Sequence, residues 1–206
     1  VIIGSCTNGA YEDILPSAKM LEGREVNRTT EMIIAPGSKQ ASEMLAREGW
    51  TAEMMAAGVN FSEATCGACI GNGHVPASDS VSLRTFNRNF EGRSGIEDDN
   101  VYLCSPEVAT ASALAGEIVD PRDLADERGD LEDPGFEMPE TYDGSTADLI
   151  TPNEAEDDEL IKGPNIGDVP LQDPMDSKLQ GENLLKMGDN ITTDHISPAN
   201  ADVLMY

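Results

Sequence analysis

Basic residues are scarce in this sequence, which has 13 Lys and Arg against 39 Asp and Glu and a formal net charge of −26. Nucleic acids and anionic membranes bind basic surfaces, so this balance argues against DNA, RNA and membrane partners. Only five of the basic residues are lysine. An acidic, lysine-poor surface suits a protein that folds in concentrated salt, where screening removes self-repulsion. We therefore predict a halophilic protein, with an ordinary acidic cytosolic protein as the alternative.

Long apolar runs and histidines are also lacking. No stretch is apolar enough for a membrane helix and no signal peptide is visible, which predicts a cytoplasmic location. The two histidines are too few for a histidine-rich metal centre. The first residues, 1–4, already have the pattern of a buried strand, and residues 201–206 carry no helix or strand stop signal. We expect an internal piece of a larger protein.

Cysteines are few, but three of the four stand in an informative arrangement. Cys6 directly follows the first predicted strand, and Cys66 and Cys69 form a C-x-x-C pair after an extended segment. Three thiolates can hold one metal centre, and with a four-iron cubane they leave one iron open to substrate. A zinc site that adds His74, a redox pair and chance spacing remain open alternatives. Cys104 lies in an apolar run and is predicted to be a core thiol.

Strand and helix patterns alternate over the first 119 residues. Such alternation predicts a mostly parallel sheet covered on both faces, the three-layer α/β/α class. Either Ser38 or Ser42 is expected to cap one helix, and Pro106 to open the last one. The predicted strands are 1–5, 31–35, 81–86 and 101–103. The predicted helices are 12–21, one that follows the capping serine and runs to about 46, 51–57 and 107–118.

The composition changes near residue 120. Residues 117–159 contain 17 acidic and two basic residues with several prolines, which is typical of a poorly packed connector. We predict an α/β domain at 1–119, an acidic linker at 120–182 and the beginning of a second domain at 183–206. A short strand is expected near 181–187.

Polar clusters at two further places suggest ligand binding. Arg88 and Arg93 follow a predicted strand, across a glycine turn, and arginine binds carboxylates through paired hydrogen bonds. Ordinary surface ion pairs are the alternative for these arginines. Asp194 and His195 form the second of these clusters, for which a capping loop is the simpler explanation.

Five motifs, in order and at plausible spacing, resemble the aconitase family. The cysteine motifs are Ile-Gly-Ser-Cys-Thr-Asn at 3–8 and Cys-Gly-Ala-Cys-Ile-Gly at 66–71. The others are Asn-Arg-Asn-Phe-Glu-Gly-Arg at 87–93, Ser-Pro-Glu at 105–107 and Thr-Thr-Asp-His-Ile-Ser at 192–197. They resemble the third domain of that family and the start of its fourth, mobile domain. Isopropylmalate and homoaconitate isomerases share the cysteines and the Asn-Arg-Asn-Phe run, but in many of them the mobile domain is a separate subunit. The 192–197 motif in the same chain therefore favours aconitase itself.

The resemblance implies roles for eight residues and a [4Fe–4S] cofactor. The implied roles are cluster ligation by Cys6, Cys66 and Cys69, cofactor contact by Ser5 and Asn87, binding of substrate carboxylates by Arg88 and Arg93, and a catalytic role for Asp194.

The implied reaction is the interconversion of citrate and isocitrate through cis-aconitate, in the tricarboxylic acid cycle, with the open iron as Lewis acid. The implied partners are a small tricarboxylate and the remaining domains of the same protein, because the family's serine base and histidine–acid pairs lie outside this chain. An isopropylmalate or homoaconitate isomerase is the alternative within the superfamily. A zinc-stabilised structural domain and an RNA-binding regulatory relative are alternatives of another class. Ala68 replaces a proline common in aconitases, and His74 has no family role that the resemblance assigns.

Overall fold

The computed structural model describes residues 1–126, 129–130, 163–164, 167, 170–191 and 195–196. These residues belong to two compact units, the first reaching residue 130 and the second beginning at 163. Among the described residues, no helix has the length and apolar character needed to span a bilayer.

A five-stranded parallel sheet, in the order β3-β2-β1-β4-β5, forms the centre of the first unit. Helices follow its strands, so the predicted α/β class with a parallel sheet is confirmed. The strands are β1 (Ile2–Gly4), β2 (Ile33–Ala35), β3 (Asn60–Phe61), β4 (Val81–Arg84) and β5 (Asn100–Leu103). The helices are α1 (Ser5–Asn8), α2 (Tyr11–Leu21), α3 (Lys39–Arg47), α4 (Trp50–Ala56) and α5 (Pro106–Ala115), with a 3₁₀ helix at Ala68–Ile70.

Local capping explains where two of these helices begin and end. Of the two serines considered for α3, Ser38 is the cap, because its Oγ accepts a hydrogen bond from the Ala41 N–H at 3.1 Å. Ser105 caps α5, with proline at the first turn. That helix ends at Ala115, earlier than predicted, because Gly116 takes a left-handed φ of 84°.

The two faces of the sheet are covered differently. Ile3 and Ile34 lie side by side in register and pack into a large core with residues of α2, α3, α4 and α5. Successive strand residues point to opposite faces, so Ile2 and Ile33 face the other way. There they contact Ala68, Cys69 and Phe86 in a second, smaller cluster. The third layer is therefore thin and consists largely of the cysteine-bearing loop.

The acidic region contains one small regular element in its described part. Residues Ala125–Asp126 (β6) pair antiparallel with Gly129–Asp130 (β7). The prediction of a strand near 181–187 is wrong, since these residues form no strand and are exposed. Leu184 is 92% exposed, so its apolar character, which suggested a strand, finds neither a partner strand nor a core there. The domain boundaries predicted at 119 and 182 stay predictions.

Candidate functional site

A strained turn presents Cys6 at the carboxyl end of β1. Gly4 has φ 117° and Ser5 has φ 59°, a left-handed value that a residue with a side chain seldom adopts. A Cβ on Gly4 would lie 1.9 Å from the Ala35 backbone oxygen, so only glycine fits there. Ser5 is buried and Cys6 is exposed. The turn thus buries one polar side chain and brings the next residue, a thiol, to the surface.

Close backbone contact holds the Cys6 turn against the loop that follows β2. The Gly37 N–H donates to the Gly9 oxygen at 2.8 Å. A Cβ on Gly9 would lie 2.1 Å from the Ser5 oxygen and 2.4 Å from the Gly37 nitrogen. This approach requires glycine, so the two loops are fixed to each other by backbone rather than by side chains.

The second cysteine motif forms a compact loop around the 3₁₀ helix Ala68–Ile70. The Ile70 N–H donates to the Cys66 oxygen at 3.2 Å, and the Asn72 N–H donates to the Gly67 oxygen at 2.8 Å. Cys66 is exposed, whereas Cys69 is 5% exposed and packs against the sheet. The loop therefore presents its two thiols in different environments.

Arg93 contacts Cys69 directly. Its Nε donates to the Cys69 backbone oxygen at 2.8 Å, and its Nη2 donates to the Cys69 Sγ at 3.4 Å. The side chain is 6% exposed, and its guanidinium lies 5.6 Å from the centre of the Phe90 ring. Hydrogen bonds to sulfur are among the contacts with which proteins orient and tune thiolate ligands. The structure therefore places Arg93, which the sequence predicts to bind substrate, in direct contact with Cys69, a predicted metal ligand.

The rest of the Asn87–Arg93 segment lies closer to the surface. Asn87 is exposed and Arg88 is half-buried. The Asn89 side chain donates from Nδ2 to the Val101 oxygen at 2.9 Å, which ties the segment to β5. The two arginines are consequently not equivalent, and Arg88 is the better placed of the two to reach a soluble ligand.

Arg84, which sequence reasoning does not single out, also belongs to this site. It is 2% exposed, and its Nη1 donates to the Ala68 oxygen at 3.0 Å. The one signal in the sequence is an arginine within an apolar strand between Leu83 and Phe86. A charge in a central strand is rarely placed there without a specific partner.

The chemical nature of the candidate ligands suits an iron–sulfur cluster, whereas the spacing of the three thiols suits it less well. Cysteine thiolates are the usual ligands of such clusters. Ser5 and Ser94 add buried hydroxyls whose Oγ atoms have no hydrogen-bond partner among the described residues. However, in the part of the chain that the structure describes, no three Cys, His, Asp or Glu side chains are grouped closely enough to hold a metal ion. Cys6, Cys66 and Cys69 thus stay predicted ligands, with suitable chemistry on two separate loops.

The remaining predicted residues fall away from these loops or outside the described residues. Cys104 packs against the helix-side core, and burial raises the pKa of its thiol to about 11, as expected for a core thiol. His74, the fourth ligand of the zinc alternative, lines a cleft of about 610 Å³ that none of the three cysteines lines. Asp194 lies outside the described residues, and the neighbouring His195 is exposed.

A family model described as the aconitase family (aconitate hydratase) matches residues 1–116, more than half of the sequence. The chain belongs to the aconitase family. The resemblance to this family is therefore confirmed, with four of the five motifs inside the matched residues. The match falls on the same unit that carries the parallel sheet and both cysteine loops.

Three curated relatives of this aconitase-family chain are described as large subunits. The 3-isopropylmalate dehydratase large subunit of Heliobacterium modesticaldum is 45% identical over 126 residues, which is 60% of this chain and 30% of the relative. That of Herpetosiphon aurantiacus is 44% identical over 127 residues, 61% of this chain and 30% of the relative. The homoaconitase large subunit of Thermus thermophilus is 41% identical over 128 residues, 62% of this chain and 31% of the relative. The chain thus spans about 30% of the length of these relatives.

The comparisons revise the substrate expected from the motifs. The relatives named above carry the names of isopropylmalate and homoaconitate enzymes, so citrate and the tricarboxylic acid cycle are not supported. The alternative within the superfamily is favoured instead. The expectation of citrate rested on the 192–197 motif, which lies beyond the residues that the family model matches.

Proposed function

We propose that this chain is the cluster-bearing part of a hydro-lyase of the isopropylmalate or homoaconitate type, which isomerises a 2-hydroxy acid through its dehydrated form. The carrying observation is 41–45% identity to 3-isopropylmalate dehydratase and homoaconitase large subunits across the α/β unit. Identity at this level over the unit that holds the candidate site favours the same class of reaction.

The strand order supports a site where the two cysteine loops lie. The chain moves outward from β1 to β2 and β3, then returns to the other side of β1 to form β4 and β5. In open parallel sheets, ligands bind at the carboxyl ends of the strands where the order reverses. Cys6 follows β1 at this point, the segment 87–93 follows β4, and the Cys66–Cys69 loop belongs to the connection that crosses back.

The proposed roles of the chain's own residues follow from their surroundings. Cys6, Cys66 and Cys69 would hold the [4Fe–4S] cluster, which when bound supplies a Lewis-acid iron for the substrate hydroxyl. Ser5, buried beside Cys6, and Asn87, exposed after β4, would contact the cofactor. These five residues form the cofactor platform.

Three further side chains act on the substrate or support the platform. Arg88 would bind a substrate carboxylate and balance the negative charge that grows as the proton beside that carboxylate leaves. Arg93 keeps its proposed role in binding a substrate carboxylate, and it would also keep the Cys69 sulfur oriented, through the 3.4 Å contact from its Nη2. Asp194 keeps its proposed catalytic role in a second domain that begins near residue 183.

The partners we propose are the small di- or tricarboxylate substrate and the domains or subunits that complete the enzyme. The chain spans about 30% of the length of its relatives, which leaves most of a large subunit to supply them. A cytoplasmic location and a halophilic origin remain proposals that rest on composition. With a net charge of −26, we propose no nucleic-acid partner.

The test is substrate preference of the whole parent enzyme after anaerobic cluster reconstitution. We expect kcat/KM for 3-isopropylmalate or homoaconitate to exceed that for citrate by about tenfold or more. Homoaconitate is one methylene longer than the aconitate formed from citrate, and a single methylene in a fitted pocket is worth roughly that much. Isopropylmalate differs further, because it carries an isopropyl group where citrate carries a carboxymethyl group. A preference for citrate would overturn the substrate assignment. A colourless, zinc-containing protein without activity on any of the three acids would instead support the structural-domain alternative.

A further inference from the structure

Arg84, the last residue of β4, lies on the sheet face that carries the cysteine loop. In the parallel register of β1 and β4 it is the partner of Ile2, so both side chains lie on the same face. Ile2 contacts Ala68 and Cys69 on that face, and Ser82 and Phe86 occupy the positions two before and two after Arg84. A charged side chain that is 2% exposed thus lies directly beneath the loop that holds Cys66 and Cys69.

The hydrogen bonds of Arg84 and Arg93 reach consecutive carbonyl groups of that loop. Arg84 Nη1 donates to the Ala68 oxygen at 3.0 Å, and Arg93 Nε donates to the Cys69 oxygen at 2.8 Å. Arg84 is itself oriented by its Nε, which donates to the Ser82 Oγ at 3.1 Å, and by the Phe86 ring, whose centre is 5.9 Å away. Fixing these two carbonyls holds the two peptide planes on either side of the Cys69 Cα, and hence the direction in which the Cys69 side chain leaves the backbone.

Burial of this guanidinium is costly, which argues that the residue does more than fill space. Its Nη2 has no hydrogen-bond partner among the described residues. Burial lowers the pKa of Arg84, and the nearby Asp99 carboxylate offsets part of that effect. Replacing a buried ion pair by apolar side chains of similar volume is often neutral or stabilising, so burying charge is seldom the cheapest way to stabilise a fold. An arginine buried against a backbone carbonyl is therefore better explained by a role in positioning that part of the loop than by a contribution to the stability of the fold.

We propose that Arg84 is a positioning residue for Cys69, which it holds ready for metal ligation by binding the carbonyl of the preceding residue, Ala68. The proposal deepens the proposed function and rests on it for the identity of the metal group. The positioning itself is testable without the cluster, because a buried thiol is alkylated only when its loop opens.

The experiment measures alkylation of each cysteine by iodoacetamide in the cluster-free 206-residue chain, with peptide fragmentation to separate Cys66 from Cys69. Arg84→Met removes the donors and keeps an unbranched side chain. We expect the rate at Cys69 to rise about tenfold or more, which corresponds to about 1.4 kcal/mol of loop-opening free energy. Cys6, on a different loop, should change less than about twofold, and half-buried Cys104 reports global unfolding.

Two further variants keep the result interpretable. Arg47→Met removes an exposed arginine that pairs with Glu43 on α3, and it should leave every rate unchanged. Ser82→Ala removes only the hydroxyl that orients Arg84, and it should accelerate Cys69 by a smaller factor of about three. If Arg84→Met does not fold, the alkylation rates of Ser82→Ala test the proposal on their own.

Two results would overturn the proposal: an unchanged rate at Cys69 in the folded variants, or a rise at Cys69 that Cys104 matches. The substrate assay of the parent enzyme is independent of these rates. Failure of the proposed function would therefore be seen in the turnover measurements, and failure of the positioning proposal in the alkylation rates.

Discussion

Replacing Gly4 by alanine tests the turn that presents Cys6. Gly4 has φ 117° and ψ −130°, a region that costs other residues about 1–3 kcal/mol. The new Cβ would also lie 1.9 Å from the Ala35 oxygen, so β1 and β2 must shift apart at the centre of the sheet. Overpacking of this kind costs a further 1–3 kcal/mol or so, which gives a loss of about 2–6 kcal/mol in the free energy of unfolding.

Gly49→Ala is the matched control, because Gly49 has φ 85° and a Cβ added there would meet nothing within 4 Å. It carries a backbone penalty for positive φ without a steric one, so we expect a loss of about 1 kcal/mol. The assay is thermal unfolding followed by circular dichroism, in the same salt for both variants. Equal losses for the two glycines would refute the argument that close approach of β1 and β2 demands glycine at position 4.

Four further predictions concern the cofactor, the substrate, salt and pH. Serine in place of Cys6, Cys66 or Cys69 should abolish the brown cluster absorbance after reconstitution, whereas Cys104→Ser should retain it. Arg88→Lys should lower kcat/KM of the parent enzyme about ten- to hundredfold at full cluster content, because lysine cannot make the paired hydrogen bonds; near-normal turnover would contradict this. The melting temperature should rise between dilute buffer and multimolar potassium chloride, and an unchanged value would refute salt adaptation. Burial raises the pKa of Cys104 from 9.0 to about 11, so between these values the folded state keeps a proton that the unfolded state releases. The free energy of unfolding, measured by denaturant titration, should therefore fall from pH 9 to 11, and it should fall less in Cys104→Ser.

Local sequence signals predict most of the α/β unit. Strand periodicity, the Ser38 cap and Pro106 each depend on neighbours within a few residues, and the structure agrees with them. The placement of Cys6 at a strand end needs only the order of elements. The expected strand at 181–187 fails because a strand forms only where another strand accepts its hydrogen bonds, which local sequence does not reveal.

The parts of the site that escape prediction depend on contacts between distant residues. The motif containing Arg93 suggests a substrate ligand, and it does not reveal the hydrogen bonds from the Arg93 guanidinium to Cys69, 24 positions earlier. Arg84 draws no attention in the sequence because nothing in the strand itself reveals the Ala68 carbonyl above it. A single sequence shows that an arginine is present, but packing decides whether its donors face solvent, substrate or backbone.

The strand order also bears on how the chain folds as it is synthesised. Ile2 of the central strand pairs with Ile33 on one side and with Arg84 on the other, a much more distant partner. Loop-closure entropy therefore favours early pairing of β1, β2 and β3, before β4 and β5 dock. In the sequence, the Cys66–Cys69 loop lies between these two groups of strands. Its contacts with Arg84 and Arg93 come from the group that docks late. We expect a ribosome-bound chain to acquire an ordered cysteine loop only after β4 and the segment up to Arg93 have left the exit tunnel, which makes cofactor loading a late event in synthesis.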